Sequence, residues 1–75
     1  MINEIQDYCL YSGALAYVDM VRDLRFRYLG VVPLWENKEE AWDWFSEKFL
    51  DEPSDADQAY FYEGWNKAQD VERPS

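Results

Sequence analysis

Apolar positions along this chain recur at three- and four-residue spacing, and no stretch alternates every second residue. The pattern therefore predicts helices and no strands. Asn3 caps a first predicted helix running to about Tyr11, with Ile5, Tyr8 and Cys9 on its inner side. Ser12-Gly13 either breaks that helix or is tolerated within a longer one, since a mid-helix glycine costs only about 1 kcal/mol. From Ala14 to Leu29 the period predicts one packing stripe of Ala14, Tyr17, Val18, Val21, Leu24 and Tyr28. Gly30 is the expected stop, and Val31-Val32-Pro33 leaves it in extended geometry.

Asn37, followed three residues on by Glu40, reads as an N-cap, so the next helix begins at Lys38 and runs to Leu50. Leu34 or Trp35 is placed to act as a hydrophobic staple onto its first turns. At about 100° per residue, Ala41, Trp42, Phe45 and Phe49 gather on one side of this helix. Glu39, Glu40, Asp43 and Glu47 gather opposite, with Trp44 and Lys48 on a flank. Asp51-Glu52-Pro53 forms a linker, and Ser54 with Asp57 forms a second cap. A last helix is expected from Asp55 to about Asp70, packing through Ala59, Phe61, Tyr62, Trp65 and Ala68. Gly64 inside it leaves room for another helix to approach closely. Residues 71–75 read as a loose polar tail. The fold class is all-α, a small bundle of three or four helices forming one domain over residues 1–75.

Charge sharpens the picture of the middle helix. The segment Glu36–Asp57 holds nine of the sixteen acids against two lysines, and so carries −7 of the net −9. Glu39–Asp43, Glu40–Asp43 and Asp43–Glu47 are like-charge neighbours, each costing the helix roughly 0.2–0.5 kcal/mol. The arrangement does not serve the helix itself. Four acids from Glu39 to Glu47 span about 12 Å at about 1.5 Å per residue. One charge per ~4 Å approaches the ~3.4 Å spacing along a DNA strand. An ordinary solvated helix face is the competing reading.

Composition narrows the rest. Seventy-five residues with one cysteine, Cys9, rule out an internal disulfide, and fourteen aromatic residues supply the mass of the core. So small an interior must leave some rings outside, which makes a homodimer through an aromatic surface an expectation. A single thiol, together with a start, MINEIQD, that lacks a basic, apolar leader, points to the cytoplasm. The net charge of −9 argues against direct nucleic-acid or membrane binding and for a basic partner. The segment AYFYEGWNKA, Ala59–Ala68, resembles the aromatic–x–x–Gly–Trp–x–x–Ala stretches that end many small phage accessory proteins. That resemblance implies packing roles for Gly64 and Trp65 and a phage or mobile-element origin, with no site of its own.

Catalytic chemistry finds little support. Without histidine, Ser/His and Cys/His nucleophilic arrangements are unavailable, and the three glycines are scattered singly. Cys9 lies in an apolar stretch that suits a buried, inert thiol. Asp51, Glu52, Asp55 and Asp57 form the densest oxygen cluster, but Pro53 interrupts it and solvation and capping account for them. Arg22, Arg25 and Arg27, with Phe26 between, are better read as partners of Asp19, Asp23 or the acidic helix than as a nucleic-acid contact. The expectation is a protein that is no enzyme and uses no cofactor or metal. Its expected docking surface comprises Glu36, Glu39, Glu40, Asp43, Glu47, Asp51, Glu52, Asp55 and Asp57, with Trp44 as the aromatic anchor.

Overall fold

A computed structural model describes residues 4–72. It contains three α-helices, α1 (Glu4–Arg25), α2 (Lys38–Phe49) and α3 (Asp55–Glu72), and a single 3₁₀ turn at Arg27–Leu29. No strand occurs among the described residues, so the fold is all-α. The predicted Asn3 cap and residues 73–75 of the tail lie outside the described residues. Val71, assigned to the tail by its sequence, is the penultimate residue of α3. No helix among the described residues is long and apolar enough to cross a membrane.

Two of the predicted caps close as drawn. The Glu40 backbone N–H donates to Asn37 Oδ1 at 2.9 Å and starts α2. Ahead of α3, the Asp57 N–H donates to Ser54 Oγ at 3.2 Å, and the Ser54 N–H returns a bond to Asp57 Oδ2 at 3.3 Å. That is a reciprocal capping box with aspartate in the usual glutamate position.

Helix α1 runs unbroken through Ser12-Gly13 and ends at Arg25, four residues before the expected end. Gly30 instead closes the 3₁₀ turn, with φ at 89° and its N–H donating to the Arg27 carbonyl. The buried residues of α1 are Cys9, Gly13 and Ala16. The predicted stripe is therefore about a quarter turn off, at ~100° per residue. Val18 and Leu24 are nearly half exposed, and Tyr28 is almost wholly so. The cause is the neighbour. A Cβ on Gly13 would collide with the Phe61 carbonyl, and one on Gly64 with the Leu10 carbonyl. Helices α1 and α3 thus meet backbone to backbone, and small residues are the ones that fit between them.

Helix α2 stands off on its rings. Trp42 and Phe45 reach Phe61 with ring centroids 5.4 and 5.2 Å apart, and Phe45 also meets Tyr8 at 5.5 Å. The core consists of Cys9, Ala16, Trp35, Ala41, Trp42, Phe45, Phe61 and Trp65. Trp35 enters from the α1–α2 connection, and its indole N–H donates to the Ala16 carbonyl at 3.0 Å. The helices run up, down and up: Ile5 shares a surface with Asp57, and Met20 one with Gln69. The Cα atoms extend 40 × 30 × 16 Å, and a helix with its side chains is about 10–12 Å across. This flat shape leaves two broad faces in water, which explains why Phe49, expected inside, and Ala59 are exposed.

Candidate functional site

Helix α2 carries the candidate surface because its buried and charged positions fall on opposite sides. Ala41, Trp42 and Phe45 are buried, while Glu39, Glu40, Asp43 and Glu47 are all exposed. Both lysines of the segment fold back onto rings. Lys38 Nζ sits 5.0 Å from the Tyr62 centroid, and Lys48 Nζ sits 5.6 Å from that of Trp44. Cation–π contact therefore occupies the two cations that stood nearest the acids. Arg22 contacts Asp19 at 3.4 Å and Asp23 at 3.6 Å, inside α1.

The structure keeps some of the predicted site residues together and parts others. Glu36 and Glu39 mark the start of α2, near Met20 and Asn66. Asp51 and Glu52 lie at the opposite end, beside Ile5 and Tyr8. Glu39, Glu40, Asp43 and Glu47 share one exposed arc of α2, and Glu36, Asp51, Glu52 and Asp55 are exposed beyond its two ends. Asp57 lies near Asp51 and Glu52 but, unlike them, is half-buried and bonded into the Ser54 cap. Glu40 remains exposed but accepts from the Asn37 side-chain amide at 3.4 Å, so part of its carboxylate serves the cap. Trp44 is half-buried, with ring centroids 5.1 Å from Trp35 and 5.7 Å from Phe49. It is packed into the fold as well as placed beside the acids.

Cys9 is fully buried. Burial among apolar groups, and secondarily the nearby Asp57 carboxylate, pushes its thiol up from 9.0 to about 11. Two pH units correspond to about 100-fold less thiolate at a given pH below that range. Native protein should therefore resist a thiol-specific alkylating reagent at mildly alkaline pH and react fully once urea is added. The linkage has a definite sign. The buried thiol adds nothing pH-dependent below pH 9, and stability falls as the pH rises from 9 toward 11, where only the unfolded chain has lost the proton. Rapid labelling of the folded protein would show that the thiol is open to solvent. Among the described residues, no three Asp, Glu or Cys side chains converge as metal ligands.

A second surface was missed by reading the sequence. Tyr8, Tyr11, Leu15 and Val18 line the outer face of α1, each between 45 and 66% exposed. Their three-four-three spacing is a signal the sequence contains, in competition with the stripe through Ala14 and Tyr17. The connection after α1 is also apolar and open, with Tyr28, Leu29, Val32 and Leu34 all more than 60% exposed. Leu34 is accordingly no staple, whereas Trp35 is buried, packing on Trp44 of α2 at 5.1 Å and bonding to Ala16 of α1. Compared with family models, with curated proteins and with solved structures, the chain matches none.

Proposed function

We propose that this chain is a non-enzymatic interaction protein, an inhibitor or regulator that docks on a basic, nucleic-acid-binding surface of a partner protein. One observation carries the reading: Glu39, Glu40, Asp43 and Glu47 share an exposed arc opposite the core while Lys38 and Lys48 lie over rings. A row of carboxylates at ~4 Å intervals offers a groove built for phosphates a comparable charge density. Such a row steers the encounter at long range and fixes the register at short range. Occupation of the groove excludes the nucleic acid by competition. Trp44, at the edge of the row, supplies apolar contact beside the charges.

Charge reversal tests this directly. Glu39→Lys, Asp43→Lys and Glu47→Lys together avoid Glu40, whose carboxylate serves the cap. At about 1 kcal/mol per site, the triple variant should bind its partner on the order of 100-fold more weakly. Its helical signal should persist, because the three positions are exposed, the 39–43 and 43–47 pairs stay like-charged as before, and only the contact of Glu40 with position 43 changes sign, to attractive. Duplex DNA should compete the wild-type complex apart. So should about 1 M salt, where the screening length of ~3 Å drops below the spacing of the carboxylates. A complex that survives both the reversal and the salt would sink the electrostatic reading.

A further inference from the structure

The outer face of α1 has no role in the proposed acidic docking and, apart from the ring of Tyr8 against Phe45, lies outside the core. Helix α1 turns Cys9, Gly13 and Ala16 inward. At ~100° per residue, Tyr8, Tyr11, Leu15 and Val18 then occupy an arc of about 80° on the other side. Glu4 and Arg22 extend the same arc, one at each end, and both are exposed. Four large apolar side chains in a row, 45%, 66%, 47% and 47% exposed, are an uncommon thing to leave in water. Their spacing is that of the a and d positions of a coiled-coil seam.

We propose that a second copy of this chain docks on this face, the two α1 helices running antiparallel about a two-fold axis level with Gly13. In that register Tyr8 meets Val18 of the second copy, Tyr11 meets its Leu15, and Glu4 meets its Arg22. The seam is self-complementary in shape and in charge, as a two-fold interface must be. A parallel pairing would instead set Glu4 against Glu4 and Arg22 against Arg22. The contact between Glu4 and Arg22 spans eighteen residues, about 27 Å of helix. Arg22 already touches Asp19 and Asp23, yet its side chain stays 62% exposed and within reach of a second molecule.

Two further features favour a second copy over a different protein. Helix α1 carries four acids and two arginines, whereas the segment Glu36–Asp57 carries nine acids and two lysines. Pairing through α1 keeps the most acidic parts of the two copies on the outside, where mutual repulsion is weakest. Alongside the seam, Tyr8, Tyr11 and Leu15 form one wall of a groove of about 320 Å³, with Trp44, Phe45 and Phe49 opposite. That groove gives the rings of the second copy somewhere to settle.

Light scattering of the wild type over a wide concentration range should approach twice the 9.0 kDa of one chain. Raised salt should leave the dimer in place, since the seam is apolar, whereas it dissolves the acidic docking proposed above. Leu15→Glu should move the association midpoint to roughly 100-fold higher concentration, with circular dichroism unchanged because Leu15 is not in the core. Orientation is read from a short bis-maleimide crosslinker, to which buried Cys9 is inert. Glu4→Cys mixed with Arg22→Cys should crosslink, and neither variant should do so alone. A wild type that stays monomeric throughout, including one whose α1 face captures another protein or a vesicle, overturns the proposal. So does a dimer indifferent to Leu15→Glu, or crosslinking of each cysteine variant with itself.

Discussion

Placing alanine at Gly13 or Gly64 should destabilise the protein by roughly 3 kcal/mol, although the same change favours an isolated helix by about 1 kcal/mol. The sign is set by what the new methyl group meets. At Gly13 it strikes the Phe61 carbonyl and lies 3.1 Å from the Trp65 amide nitrogen; at Gly64 it strikes the Leu10 carbonyl and lies 3.1 Å from the Ala14 amide nitrogen. These are helix backbone atoms, which cannot swing aside as a flexible side chain would. Relief requires α1 and α3 to part, and parting them loosens the edge contact of Tyr17 on Trp65 at 5.3 Å. A 75-residue domain has about 4–11 kcal/mol of stability in all, so one methyl group removes a large share of it. Thermal unfolding followed by circular dichroism should show a midpoint lower by roughly 12–24 °C. A variant as stable as the wild type would mean that the two helices are held farther apart than this packing requires.

What could be read from the sequence was what neighbouring residues settle among themselves. Asn37 with Glu40, and Ser54 with Asp57, fix the starts of α2 and α3 within four residues, so no distant contact is needed to see them. The opposed faces of α2 follow from helical geometry alone, and four of its acids indeed lie on one exposed arc. The face of α1 was different. Its sequence offers both a stripe of large residues and a set of small ones, and only the approach of α3 selects the small set. Gly64 could be read as a point of close approach, but its counterpart Gly13 looked equally like a helix break. Trp35 bonds to a carbonyl nineteen positions away, a contact that no local pattern encodes. Asp57 and Trp44, which the sequence places on the docking surface, have duties inside the fold as well. Each depends on how the turn before α3 and the connection before α2 fold back, which is a property of the assembled molecule.

Phe61→Ala should cost about 3–5 kcal/mol, whereas Phe49→Ala should stay within about 0.5–1 kcal/mol. Sequence periodicity put both phenylalanines in the core, and the structure separates them. Phe61 is 0% exposed and is the point where all three helices meet. It stacks on Phe45 at 5.2 Å, tilts against Trp42 at 5.4 Å, and its carbonyl is the surface on which Gly13 rests. Removing its ring leaves a cavity between rigid aromatic neighbours on α2 and the backbone of α1. The backbone cannot close in, because Gly13 and Gly64 already hold the two helices at their nearest approach. Helix α2 has only its rings to stand on, so their loss at this position should detach it before α1 and α3 separate. Tryptophan fluorescence, to which Trp35, Trp42 and Trp44 on or beside α2 contribute three of the four rings, should therefore report an earlier urea transition than the helical signal in the Phe61→Ala variant, and a coincident one in the wild type. Phe49, 54% exposed at the end of α2, touches Phe45 and Trp44 on one side only. Equal losses for the two variants would place the centre of the core farther along α2, and with it the apolar support beneath the carboxylate row.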